Sequence, residues 1–208
     1  ARAACITIVN PNNPDGRILD RDRLLALHDA LQVRNGILVV DEAFIDLEPQ
    51  LSVAALAGTE RAPRLIVLRS FGKFFGLAGV RLGFVVAARS IGARIRSLIG
   101  DWPVSSDALT AGLAAYADVR WAARTRKLLV RTAPRLDTLL RSSGFAIVGG
   151  TSLFRLARAA DAREHFARLL AAGILVRPFD HDATLLRFGL PGNPHEWERL
   201  TAALKSRS

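Results

Sequence analysis

Four polar residues stand where a reaction would need them. Asp41 ends the apolar run "GILVV", and Ser70, Lys73 and Arg81 follow the run "LIVL" within "RSFGKFFGLAGVRLG". The lysine is the telling one, because only Lys73, Lys127 and Lys205 are lysines among 29 basic residues. Arginine stays protonated under all ordinary conditions, whereas a lysine amine in a low-dielectric site can lose its proton and attack a carbonyl to form a Schiff base. A hydroxyl three residues before that amine and a guanidinium eight after it, joined through the "GLAG" bend, can converge on one phosphate, for which the planar fork of arginine is suited. Taken singly, each has a plainer use: Lys73 as a snorkelling side chain, Arg81 as a surface charge, Asp41 as a helix cap or half of an ion pair. Asp41 directly follows a buried-looking strand, so it is expected to be mostly buried and to have a cationic or hydrogen-bonding partner.

Two other phosphate motifs can be excluded by spacing. The nucleotide P-loop requires glycine six residues before its lysine and Ser or Thr directly after, where this chain has Val67 and Phe74. "GLAGVRLG" lacks the G-x-G-x-x-G spacing of dinucleotide sites.

The elements that must hold these residues are legible as alternating signals. "CITIV", "GILVV", "RLIVLR" and "RLGFVVA" read as strands, and their unalternated aliphatic runs suggest burial on both faces of a parallel or mixed sheet covered by helices. "DRDRLLALHDAL" places Leu24, Leu25, Leu27 and Leu31 on helical spacing. "NPNNPDG", "DEAF" and "SFGK" each follow a strand, so their polar residues should meet at one sheet edge, where open α/β sheets bind ligands. From about Ser105 the pattern changes to a long helix, broken or kinked near Pro134, then strand pairs ("FAIVGG" with "SLFRLA", "ILVRP" with "TLLRFGL") and helices on one side. The expected architecture is α/β over residues 1–104, with a linking helix and a smaller α+β unit over 105–208.

Half of the 208 residues are hydrophobic and 23% are charged, a globular composition. No apolar run approaches the roughly 20 residues of a membrane span, and nothing reads as a signal peptide. One cysteine, Cys5, permits no internal disulfide and fits a reducing cytoplasm. The net charge of +10 invites a nucleic-acid reading, but the basic residues are scattered. Their densest run, Arg120, Arg124, Lys127 and Arg131, falls on the solvated face of a helix opposite Leu128, Leu129 and Leu136. Neither a nucleic-acid nor a membrane partner is therefore expected. His28, His165, His181 and His195 have no metal-ligand spacing, and no metal is expected. His28 reads as a helix-face residue and His181 as a loop residue. Arg155, Arg158 and Arg177 are further candidates for a substrate phosphate, with surface arginine as the simpler reading of each.

In their order and spacing, "NPNNPDGR", "VVDEAFID" and "LRSFGKFFGLAGVRLGF" resemble the large domain of the fold-type-I pyridoxal-phosphate enzymes of the aminotransferase class I/II superfamily. Within it they resemble the branch of histidinol-phosphate aminotransferases and threonine-phosphate decarboxylases. The resemblance runs over essentially the whole chain and corresponds to about the C-terminal three-fifths of such an enzyme. It implies pyridoxal 5'-phosphate as cofactor and Lys73 as the amine that joins its aldehyde. Asp41 would pair with the pyridine nitrogen, Asn13 would donate to the phenolic oxygen, and Ser70 and Arg81 would hold the phosphate. Arg187, in "LLRFGLPGN", would grip the substrate carboxylate. Relatives are homodimers, so a homodimer acting on a small phosphorylated amino acid is implied. The region that precedes this segment in relatives supplies a glycine-containing phosphate loop and a stacking aromatic. With no methionine in the chain, the sequence reads as a fragment or processed chain that carries part of a site.

Several positions depart from the family pattern. Phe44 stands where many relatives have a tyrosine that bonds the phenolic oxygen, Gly72 where a serine or threonine often precedes the lysine, and Ser152 about where many transaminases have asparagine. "DEAFID" and the "WPV" of "GDWPVSSDAL" look more like the decarboxylases. The implied reaction is decarboxylation of L-threonine O-3-phosphate to (R)-1-amino-2-propanol O-2-phosphate, a building block for cobalamin. The alternatives are a histidinol-phosphate-type aminotransferase and a non-catalytic regulatory or interaction module.

Overall fold

The computed structural model describes residues 4–205. The chain divides into two compact units, one running to Asn12 and then from Arg17 to Arg120, the other made of Asn13–Gly16 and everything from Trp121 onward.

The first unit is built on a mixed sheet. Strands β1 (Cys5–Val9), β2 (Ile37–Asp41) and β3 (Leu65–Ser70) are parallel, and β4 (Gly83–Val86) returns antiparallel to β3, in the order β1-β2-β3-β4. The aliphatic and β-branched runs favour the pleated conformation. Helix α1 (Arg21–Gln32) begins at Asp20, whose carboxylate accepts from Arg23 N–H at 2.8 Å and so satisfies one of the free donors of the first turn. It buries Leu24, His28 and Leu31, spaced as one helix face, on the sheet. Leu24 and Leu31 meet Leu38, Val40, Leu65 and Val67, the inward residues of β2 and β3. Ile37 and Val39 are half-buried where Leu38 and Val40 are fully buried, so one face of β2 is more deeply covered than the other. That half-covered face carries the site described below. Two further helices, α2 (Arg89–Ile99) and α3 (Ser106–Ala117), follow β4.

In the second unit an antiparallel sheet of order β5-β6-β8-β7 is formed by β5 (Ala146–Thr151), β6 (Phe154–Arg158), β7 (Arg177–Pro178) and β8 (Leu185–Gly189). It is covered by α4 (Val119–Ser142), α5 (Ala162–Ala171) and α6 (Pro194–Lys205), with Leu136, Leu140, Leu169, Phe188, Trp197 and Leu200 in the core. Helix α4 runs through Pro134 without interruption, and the helical break falls instead at Asp118, between α3 and α4. Arg120, Arg124, Lys127 and Arg131 are exposed as expected, but so is Leu128, at 64%. The buried stripe of α4 is Ala122, Ala133, Leu136 and Leu140. Among the described residues no helix is long and apolar enough to cross a membrane.

Candidate active site

Register brings the three polar segments of the first unit to one edge. Val9 lies beside Asp41, and Asp41 beside Leu68, so β1 and β2 end together and β3 runs two residues further, to Ser70. Side chains alternate along a strand. Asp41, Leu68 and Ser70 therefore share the half-covered face, while Glu42 and Arg69 point to the opposite, buried one.

On the half-covered face, Ser70, Lys73 and Arg81 line one cavity of about 230 Å³, together with Gly72, Ala78 and Gly83. Lys73 is exposed, so its own neighbours do not supply the low-dielectric surroundings its uniqueness suggests. Its amine lies 5.8 Å from the centroid of the Phe44 ring, within cation–π range. Phe44 itself is buried. Arg81 adopts a left-handed backbone (φ 58°, ψ 41°), and its Nη1 donates to the carbonyl of Ala78 at 3.2 Å. Neither Lys73 nor Arg81 has a carboxylate partner among the described residues. Asp41 is half-buried, and its Oδ1 accepts from the Ala43 N–H at 2.9 Å, a local turn that fixes the carboxyl at the strand end.

The buried carboxylate expected at Asp41 is found one residue later. Glu42 is fully buried, with Oε2 accepting from the Ser52 hydroxyl at 2.6 Å and Oε1 from the Val53 N–H at 2.7 Å. The Arg69 guanidinium lies 3.6 Å from Glu42 and pairs with buried Asp46. Burial pushes the Glu42 carboxyl above its usual range, against the pull of these donors. The period-2 pattern that buries Leu38 and Val40 continues to Glu42, and was the available signal for this network.

The second unit brings together Asn13 and Arg187. Arg187 Nη1 donates to Asn13 Oδ1, and its guanidinium lies 5.1 Å from the Phe154 ring. The segment holding Asn13 is seated on β5: the Gly150 N–H donates to the Asp15 carbonyl at 2.8 Å, and a Cβ at Gly16 would fall 2.0 Å from the Gly150 oxygen. Only glycine permits that approach. Arg177 is the register partner of Arg187 on the neighbouring strand. Burial first, and the Arg177 charge second, push the Arg187 pKa down. Like charges so placed repel unless an anion lies with them.

Other candidates have structural partners. Arg155 pairs with Asp137 at 2.6 Å, and Arg158 with Asp182 at 3.0 Å. His28 is a helix-face residue, on the buried face of α1, with Nδ1 3.0 Å from Asp29 Oδ1. Ser152 lies in the turn between β5 and β6.

The first unit is thus an α/β domain that brings a hydroxyl, an amine and a guanidinium, from Ser70, Lys73 and Arg81, to one cavity. The chain belongs to the family described as aminotransferase class I and II, whose pattern matches residues 1–206. It is 44% identical to a threonine-phosphate decarboxylase of Pseudomonas aeruginosa over 96% of this chain and 59% of that protein. It is 31% identical to a histidinol-phosphate aminotransferase of Chromohalobacter salexigens, over 97% of this chain and 58% of that protein. The crystal structure of histidinol-phosphate aminotransferase from Sinorhizobium meliloti in complex with pyridoxal-5'-phosphate superimposes with a TM-score of 0.83 at 25% identity, over 97% of this chain and 56% of that one. The chain thus spans about three-fifths of the length of the curated relatives it matches.

Proposed function

We propose that the whole protein is a pyridoxal-phosphate-dependent lyase that decarboxylates L-threonine O-3-phosphate to (R)-1-amino-2-propanol O-2-phosphate, a step in cobalamin synthesis. The observation that carries the choice of reaction is the 44% identity to a threonine-phosphate decarboxylase, against 31% to a histidinol-phosphate aminotransferase. The cofactor is supported by the donor set itself: a hydroxyl and a guanidinium with no carboxylate partner among the described residues suit its phosphate, an amine its aldehyde, and a carboxylate on the same sheet face its ring nitrogen.

When bound, pyridoxal phosphate supplies an aldehyde that takes up an amine and a protonated ring that accepts the electron pair released at Cα. This chain's residues do the rest. Asp41, whose Oδ1 accepts from the Ala43 N–H, would hold the proton on the ring nitrogen. A guanidinium only donates, so Arg187 takes the oxygen of the Asn13 amide and leaves Nδ2 as the free donor, the end that a phenolic oxygen requires. Arg187 is the candidate for the substrate carboxylate, and Arg177 beside it adds the charge suited to a doubly anionic substrate. The bond between Cα and the carboxylate breaks, carbon dioxide leaves, and the Lys73 ammonium delivers a proton to Cα. In the alternative, a histidinol-phosphate-type aminotransferase, Lys73 would instead remove a proton from Cα.

The homodimer is carried over from the family resemblance alone. A lone cysteine supports a cytoplasmic setting.

The test is an absorbance spectrum of the whole protein after adding pyridoxal phosphate, with Lys73→Ala alongside. Addition of L-threonine O-3-phosphate follows, with released carbon dioxide collected. A Lys73-dependent band and gas release are expected. A band with amino transfer from histidinol phosphate or glutamate and no gas establishes the alternative, and no band in the whole protein overturns both.

A further inference from the structure

Gly72 occupies a position whose backbone does not call for glycine but whose surroundings do. Its φ lies outside the left-handed region, yet a Cβ there would stand 2.7 Å from Ala78 Cα, 3.1 Å from Ala78 Cβ and 3.3 Å from Ala78 N. The closest of these atoms is backbone, so relief requires the turn Ala78–Val80 to move. The same Ala78 presents the carbonyl that receives Arg81 Nη1 at 3.2 Å. Arg81 caps that turn in a left-handed conformation, which is unfavourable for an ordinary side chain and persists only where neighbours hold it. Contact therefore runs without a gap from the missing side chain at 72, through the Ala78 backbone, to the guanidinium at the mouth of the cavity that Ser70 and Lys73 also line.

We propose that Gly72 is a positioning residue for phosphate recognition: its bare Cα lets the 78–80 turn settle against the end of β3, and that turn holds Arg81 where it can bind the cofactor's phosphate beside Ser70. A serine or threonine here would add a hydroxyl but would displace the turn that carries the guanidinium. In this chain the loss of one possible phosphate contact at 72 is coupled to the placement of another at 81. The inference rests on the reading of this cavity as the phosphate subsite of a pyridoxal-phosphate enzyme.

The experiment compares pyridoxal phosphate with pyridoxal, which lacks the phosphate, as ligands of the whole protein, with affinities measured by absorbance titration. Wild type should bind pyridoxal phosphate far more tightly. Gly72→Ala should lower that preference by roughly tenfold, the effect of one misplaced charge-assisted contact, with pyridoxal affinity unchanged. Arg81→Ala should lower it at least as far, and Gly72→Ala added to Arg81→Ala should cost nothing more, because the two act on one contact. Additive losses, or an equal loss for both ligands, overturn the proposal. Ala78→Val adds bulk at the same contact from an exposed position. It should reproduce the selective loss if Gly72→Ala does not fold, and an unchanged preference in Ala78→Val overturns the proposal as well. Equal binding of the two ligands by wild type would instead overturn the phosphate-site reading beneath it.

Discussion

The two faces of strands β2 and β3 carry similar charges and treat them oppositely. On the buried face Glu42, Arg69 and Asp46 are matched to one another and to Ser52 and Val53. On the other face, one residue away in each strand, Asp41 and Ser70 lead to Lys73 and Arg81, which have no carboxylate partner among the described residues. A buried charge must be neutralised locally or it costs several kcal/mol, whereas a charge left open to solvent can wait for a ligand. The alternation of a β-strand lets structural and ligand-facing charges sit on adjacent residues without competing for partners.

The comparison is sharpest when both faces are broken in parallel. Lys73→Ala should reduce kcat/KM on the order of 10³-fold or more while leaving the urea midpoint in place, because the side chain is exposed. Glu42→Ala should do the reverse in first effect. It leaves the Ser52 hydroxyl and the Val53 N–H without their acceptor and takes from Arg69 one of its two carboxylates, and should lower unfolding free energy by about 3 kcal/mol. If Lys73→Ala were as destabilising as Glu42→Ala, the division of labour between the faces would be wrong.

The second unit repeats the contrast among its arginines. Arg155 is spent on Asp137, and Arg158 on Asp182 and Thr184. Arg187 and Arg177 stand side by side with no carboxylate partner among the described residues. Arg187→Ala should raise the KM for L-threonine O-3-phosphate by roughly 10–100-fold, the range for loss of a charge-assisted contact. Arg155→Ala should leave KM unchanged and lower stability instead. Steady-state kinetics on the two variants would collapse the distinction if both raised KM alike.

Burial also gives the second unit a pH response. His165 lies against Phe145, with Arg168 Nη2 2.8 Å from its Nδ1 and Asp161 3.5 Å from Nε2. Burial lowers its pKa below the ordinary 6.5, against the pull of Asp161. The unfolded chain then binds the proton more readily than the native one, so stability should be full above about 6.5 and decline as pH falls toward the folded pKa. Glu42, with its raised pKa, acts in the opposite sense in its own window. The clean measurement is therefore the difference in melting temperature between wild type and His165→Gln from pH 7.5 to 5.5, in which Glu42 cancels. Wild type should lose more stability on acidification, and parallel curves would remove His165 from the account.

What was legible in the sequence follows from the same alternation. Strand ends announce themselves, because an aliphatic run stops at a polar residue. Asp41, Ser70 and Lys73 are therefore legible at one sheet edge from the residues alone. Burial at single-residue resolution was harder. Asp41 drew the expectation of a buried, paired carboxylate that belongs to Glu42, since composition shows which run is apolar but not which face the covering helix takes. Close approaches were silent for a related reason. Gly16 against Gly150, and Gly72 against Ala78, join segments whose proximity is set only by the folded backbone, and a glycine in a loop has many simpler uses. Leu128 shows the limit on the other side: helical spacing marks it as core, yet the buried stripe of α4 falls on Ala133 and Leu136.

The smallest expected effect bears on the choice of reaction. Phe44 presents a ring to Lys73 at 5.8 Å and has no hydroxyl to offer a cofactor. Phe44→Tyr adds one oxygen at the ring edge of a buried residue, with room decided by how far that edge reaches toward the open face. If the added hydroxyl bonds the cofactor's phenolic oxygen, it stabilises the ionised form there by a contact worth about 1 kcal/mol, so the pH at which the visible band titrates should fall by somewhat less than one unit. Decarboxylation should slow only severalfold, because Arg187 and Lys73 are untouched. A shift of the band with decarboxylation preserved makes Phe44 a tuner of the cofactor rather than the selector of the bond that breaks. A rise in amino transfer at the expense of carbon dioxide release would make it the selector.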